Sequence, residues 1–186
     1  MARKNQDNPL AAAAQGMLAG AGGAVVLTVI TAAGQNIMSG PGEPKPTQNS
    51  EGISAGEALF EGPDMPPNIS RITATFVQKV ATGLFGTSLT ADEQYIAGNA
   101  WHLAYGGFWG AVYSLLSGSV GLPRVVLGPL FGIALWALGP GWLVPKMKIM
   151  LPPTEQEPRT TAMVLGAHAA YGTITALILG LIKHDD

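Results

Sequence analysis

Two five-residue stretches of the chain combine a histidine and a tyrosine at the same spacing. Residues 102 to 106 read HLAYG and residues 168 to 172 read HAAYG. A neutral imidazole donates one hydrogen bond and accepts another, and a tyrosine hydroxyl does both. An imidazole is also an axial ligand of haem iron. The side chains whose types and spacing could do chemistry are therefore those of His102, Tyr105, His168 and Tyr171.

Three interpretations of this repeated motif are open. The simplest is structural, with the two histidines and two tyrosines joining neighbouring helices by hydrogen bonds. In the second, the histidines ligate a haem or a chlorophyll-type pigment between facing helices. In the third, the protein is a small transporter or proton-handling protein, since an ionisable side chain inside a membrane is costly to bury. No metal-ligand cluster such as HExxH accompanies the motif.

The motif belongs to a chain with few charged residues. Of its 186 residues, 12% are charged and 47% are hydrophobic, and the mean hydropathy is +0.27. Four long windows contain no charged residue: 8 to 42, 94 to 123, 125 to 145 and 160 to 182. A bilayer requires roughly 20 apolar residues per helix. The sequence therefore predicts four transmembrane helices, at about residues 9–38, 91–117, 123–145 and 160–182.

The composition offers no support for several function classes. The formal net charge is −2 and the basic residues are scattered, which leaves no basic patch for nucleic acid. The chain has no cysteine, so it has neither disulfides nor a thiolate nucleophile. The membrane windows hold no carboxylate pair, and Ser114 and Ser117 have no recognisable base beside them in the sequence. We therefore expect a non-enzymatic protein that does not bind nucleic acid.

Small residues recur at steps of four along the predicted helices. Residues four apart share one helix face, and small side chains there let helix backbones approach closely in lipid. The predicted packing positions are Gly16, Gly20, Gly106, Gly110, Gly128, Gly132, Gly172, Ala176 and Gly180. These stripes exceed what one small bundle needs for its own centre. They favour a structural or accessory subunit that packs with other membrane subunits or with copies of itself.

The first connection is long and lies outside the predicted membrane segments. Residues 39 to 70 are rich in Pro, Gly and acids, which is typical of a loop. The following stretch, residues 71 to 86, has an amphipathic pattern that predicts a helix on the membrane surface. Thr90 and Glu93 have the spacing of a capping box, which predicts the start of the second transmembrane helix.

The predicted fold class is an all-α integral membrane protein with four transmembrane helices arranged as two parallel-repeated hairpins. The second and fourth helices then run in the same direction, so the two histidine motifs lie at similar depth. Pro129 and the run Gly139-Pro140-Gly141 predict that the third helix is kinked or broken. The distribution of basic residues, with little weight given to the long acidic loop, favours both termini in the cytoplasm.

From about Phe76 to Ile182 the order of features resembles the YagU-like family of bacterial inner-membrane proteins. The resemblance is carried by GTSLTADEQYIAGNAWHLAYGGFWGAVYSLLSG, GPLFGIALWALGPGWLVP and AMVLGAHAAYG. It implies a multi-pass protein of the bacterial inner (cytoplasmic) membrane and places His102 and His168 at recurrent family positions, but it implies no reaction. Where many family members have an acidic pair shortly before Val-Pro, this chain has Pro140 and Gly141.

Overall fold

The computed structural model describes residues 8–38 and 69–184. Its helices are α1 (Pro9–Met38), α2 (Ile69–Phe85), α3 (Ala91–Ser119), α4 (Arg124–Leu138), α5 (Val144–Lys146) and α6 (Pro158–His184). A π-helical turn, Gly139–Leu143, joins α4 to α5. The described residues contain no β-strand, which confirms the predicted all-helical fold. The loop predicted over residues 39 to 70 lies outside the described residues as far as residue 68.

Three helical segments are long and apolar enough to span a membrane. They are Pro9–Ile30, Arg124–Lys146 and Pro158–Lys183. The prediction of four such segments was wrong, because the mean hydropathy of α3 is too low for a helix that spans a membrane on its own. Its central part is free of charge, but it starts with Asp92 and Glu93 and is rich in glycine, serine, tyrosine and tryptophan. Absence of charge alone therefore overestimates how apolar a segment is.

The described residues form two compact units that divide the long helices between them. The first unit contains α1 as far as Leu27, the segment Leu103–Leu135, and α6 from Leu165 onward. The second contains the remainder of α1 from Thr28, α2, α3 as far as His102, and Trp136–Val164.

In the second unit, the amphipathic helix α2 packs against the start of α3. The Phe76 and Trp101 rings stack with their centroids 4.7 Å apart. Gly98 allows this approach, since a Cβ added there would lie 2.9 Å from the backbone nitrogen of Ala74. The helix that the amphipathic pattern predicted thus exists, and its partner within the unit is a helix of the same chain.

The capping box at Thr90 and Glu93 is formed as predicted. The Glu93 carboxylate accepts hydrogen bonds from the backbone N–H of Thr90 at 2.8 Å and from its hydroxyl at 2.9 Å. The backbone N–H of Glu93 donates in return to the Thr90 hydroxyl oxygen at 3.3 Å. The bonds from Thr90 lower the pKa of the Glu93 carboxyl, because they stabilise its charged form.

The third apolar segment, predicted to be kinked or broken, is interrupted as an α-helix after Leu138 but stays helical. Pro129 lies inside α4, and the chain widens into a π-helical turn at Gly139–Leu143, where the Val144 N–H donates to the Gly139 carbonyl oxygen. A π turn tolerates Pro140, which has no N–H to donate. Just beyond it, the Lys146 ammonium lies 4.4 Å from the centre of the Trp142 ring.

Removing the Glu93 carboxylate should destabilise the protein in a pH-dependent way. The folded pKa of Glu93 is lowered, so its contribution is complete above the unfolded pKa of about 4.3 and is lost as pH falls through the lowered folded pKa. We expect Glu93→Gln to unfold at a lower temperature than wild type at neutral pH, with the difference shrinking on acidification. Circular dichroism in detergent at several pH values measures the unfolding temperatures of the variant and of wild type. Glu155→Gln, also at an exposed position, is the control, and a pH-independent difference would contradict this explanation.

Candidate functional site

In the first unit, α1 and α3 meet through glycines at backbone contact. A Cβ added at Gly16 would lie 2.6 Å from the Cβ of Ser114. A Cβ added at Gly20 would lie 2.7 Å from the Cα of Gly110 and would clash with the carbonyl oxygen of Gly106. Residue numbers rise along α1 as they fall along α3, so the two helices are antiparallel. No side chain fits between the backbones here.

The same arrangement recurs between α4 and α6. A Cβ added at Gly128 would lie 2.8 Å from the carbonyl oxygen of Gly172 and 2.9 Å from the Cβ of Ala176. A Cβ added at Gly132 would clash with the backbone carbonyl oxygen of His168. These two helices are also antiparallel. The small residues of each helix pair thus face each other within the chain.

Gly180 differs from the other predicted packing positions. The atom that an added Cβ would meet there is Nη1 of Arg124, at the ordinary contact distance of 3.6 Å. Its neighbour is therefore a flexible side chain, whereas the glycines of the two helix pairs touch backbone. The small-residue stripes are consequently occupied by the chain itself, which removes the reason for assigning them to an outside partner.

Tyr171 joins the two helix pairs. Its hydroxyl donates a 2.6 Å hydrogen bond to the carbonyl oxygen of Gly106, and its ring lies 3.2 Å from the position of a Cβ at Gly23. The side chain is only 5% exposed. This bond connects the tyrosine of HAAYG to the glycine of HLAYG, so these parts of the two motifs lie side by side.

Tyr105 occupies a different environment from Tyr171, although the motif is repeated. It is 39% exposed, and its ring lies edge-on to Trp109 with the centroids 6.0 Å apart. Trp109 in turn contacts the rings of Phe108 and Phe131, at 5.2 and 6.3 Å. One tyrosine of the repeat therefore forms a buried hydrogen bond, and the other is a partly exposed member of an aromatic cluster.

The two histidines are half-buried and belong to different units. His168 lies in the first unit, and His102 is the last residue of the second unit's part of α3. Both interact with other groups of the protein. Ligation of a haem or pigment by His102 and His168, with Tyr105 and Tyr171 beside them, stays a prediction. The Tyr171 hydroxyl is already used by Gly106, which leaves it less available to a ligand.

Sequence reasoning missed several buried polar side chains of the first unit. Ser114 is 2% exposed and Thr175 is fully buried, and Thr175 Oγ1 lies 2.6 Å from the position of a Cβ at Gly23. Ser114 lies one turn beyond Gly110, and Thr175 lies one turn beyond Tyr171. The four-residue spacing that identified the glycine stripes could therefore have placed both on the inner faces. No comparable signal marked Tyr113, which is also fully buried.

Gly172→Ala should strongly destabilise the contact between α4 and α6. The added methyl would lie 2.8 Å from the backbone nitrogen of Gly132 and would overlap the carbonyl oxygen of Gly128, and overpacking of this kind costs about 1–3 kcal/mol. Gly166→Ala adds the same methyl to the same helix with nothing within 4 Å. It should be neutral or stabilising, because Ala is the better helix former. Equal unfolding temperatures for the two variants in one detergent would contradict the close packing.

Tyr171→Phe should lower stability by about 1 kcal/mol, because it leaves the Gly106 carbonyl without its buried donor. Tyr95→Phe is the control, since it removes a hydroxyl from a tyrosine side chain that is 54% exposed. Reversible unfolding in mixed detergent micelles measures both free energies. If the two variants lose the same stability, the bond to Gly106 does not join the helix pairs energetically.

The chain matches no protein-family model, no curated protein and no solved structure. Its function is therefore inferred from the arrangement of its own residues.

Proposed function

We propose that this is a non-enzymatic, multi-pass membrane protein that acts as a structural or accessory subunit of a larger membrane complex or homo-oligomer. The observation that carries the proposal is the position of α3. This helix is not apolar enough for an independent span, yet its glycines pack at backbone contact against the apolar span of α1.

The contacts of α3 support a location within the membrane. Gly20 lies near the middle of the apolar segment Pro9–Ile30, and it is the residue that faces Gly106 and Gly110. A helix packed there lies at the depth of the hydrocarbon core. We infer that α3 enters the membrane as the antiparallel companion of α1, which shelters one of its faces.

A second face of α3 is only partly covered within the first unit. Tyr105, Phe108 and Leu115 are 39%, 57% and 45% exposed. Together with Val112 they follow a spacing of three, four and three residues, which places them in one stripe along the helix. Aromatic residues are enriched at protein interfaces. A helix of another subunit or of a second copy would bury this stripe and complete the shelter of α3.

The outward residues of α6 have a different chemistry. Leu177 and Leu181 are 62% and 69% exposed, and aliphatic side chains of this kind suit contact with lipid tails, which are as apolar as leucine. The two aromatic residues of the α3 stripe, Tyr105 and Phe108, favour α3 as the face that meets protein. The proposed assembly surface is thus a mixed aromatic and aliphatic stripe, in contrast to the small-residue stripes on which the sequence-based hypothesis relied.

The proposed location is the bacterial inner membrane, with both termini in the cytoplasm. This assignment depends on the resemblance to the YagU-like family and on the distribution of basic residues. Three apolar spans together with α3 make four crossings, and an even number of crossings is compatible with termini on one side. Membership of that family is part of the same proposal.

Phe108→Ala should weaken the assembly, while Leu177→Ala, which also truncates an exposed apolar side chain, should leave it intact. Truncation of a buried aromatic at an interface typically costs about 2 kcal/mol or more, so we expect at least a roughly tenfold weaker association. Light scattering and native mass spectrometry of protein from its own membranes, in mild detergent and in lipid nanodiscs, report stoichiometry. A monomer without co-purifying subunits under both conditions would overturn the proposed function.

A further inference from the structure

Two cationic side chains meet at one end of the first unit. Arg124 is the first residue of one apolar span and Lys183 is the last residue of another. Nη1 of Arg124 approaches Gly180, 3.6 Å from the position of a Cβ there. Lys183 follows Gly180 by three residues and so shares its helix face. The guanidinium and the ammonium therefore lie within electrostatic range of each other, at the same boundary of the apolar region.

The acids of the described segments all belong to the second unit: Asp92, Glu93, Glu155 and Glu157. Asp185 and Asp186, which follow Lys183 in the sequence, lie outside the described residues. Within the described part of the first unit, Arg124 and Lys183 thus form a pair of cations without an acidic neighbour.

We propose that Arg124 and Lys183 bind the phosphate group of an anionic phospholipid at this boundary of the membrane. A guanidinium binds phosphate oxygens in a bidentate manner, and the ammonium supplies a second charge. Basic pockets between transmembrane helices bind lipid head groups. A lipid source is favoured over free phosphate because both cations terminate apolar spans, which places them at head-group level.

This inference depends on the membrane location in the proposed function, but not on the assembly. Lipid binding and subunit stoichiometry are separate readouts of the same native mass spectrum. Failure to bind lipid at an unchanged subunit stoichiometry would therefore contradict the phosphate site alone. A monomeric protein that still binds the lipid would contradict the assembly alone.

The test titrates the full-length protein in detergent with phosphatidylglycerol and, separately, with phosphatidylcholine, and counts bound lipids by native mass spectrometry. We expect preferential binding of phosphatidylglycerol, weakened about fivefold by each of Arg124→Gln and Lys183→Gln, as expected for loss of one basic contact. Arg159→Gln removes an exposed charge at the opposite end of α6 and should have no effect.

Charge-preserving variants distinguish loss of the phosphate site from a folding defect. Arg124→Lys and Lys183→Arg keep the charges and should retain most of the preference for phosphatidylglycerol, even if the glutamine variants fold poorly. Equal binding of the two lipids, or equal weakening by Arg159→Gln, would overturn the proposal. Displacement of the lipid by inorganic phosphate at comparable concentration would overturn the lipid assignment and indicate a site for the free anion.

Discussion

The structure depends on helix backbones that touch where glycine leaves no side chain between them. In lipid, apolar side chains gain little from leaving their surroundings, so helices associate through close packing and a few polar contacts. Gly16 and Gly20 against Gly106 and Gly110 provide such packing for one pair, and Gly128 and Gly132 against Gly172 provide it for the other. A single added methyl at these positions meets backbone atoms, which cannot move aside as a flexible side chain can.

This constraint also explains how α3 is accommodated. An isolated helix with so much glycine, tyrosine and tryptophan would insert poorly into lipid. The glycine face of α3, however, packs against the glycine face of α1. Close backbone contact with α1 thus compensates for the low hydropathy of α3. The polar atoms of the backbone already form hydrogen bonds within each helix. The Tyr171 hydroxyl then supplies the directional contact that glycines lack, because it connects one helix pair to the other through Gly106.

Local and periodic features were predictable from the sequence, and their surroundings were not. The capping box at Thr90 is a property of four adjacent residues, and the helix faces follow from steps of four. Hydropathy is a sum over many side chains, so a window free of charge at α3 was mistaken for an apolar one. The π turn at Gly139–Leu143 interrupts the α-helix where Pro140 and its glycine neighbours predicted a kink or a break, but it does not end the helix. The different placements of Tyr105 and Tyr171 depend on which neighbour each helix has, information that an identical spacing of residues does not contain.

The unequal tyrosines have a consequence for the symmetry of any assembly. A repeat in which both tyrosines turned inward would approximate a closed pseudo-twofold unit with no preferred neighbour. Here one half of the repeat is closed by the bond to Gly106, and the other half leaves Tyr105 and Phe108 partly exposed. Under the proposed function the described residues therefore present one such surface. A single such surface can pair with itself in a twofold dimer or attach to one partner, whereas rings and filaments require two different surfaces on each subunit.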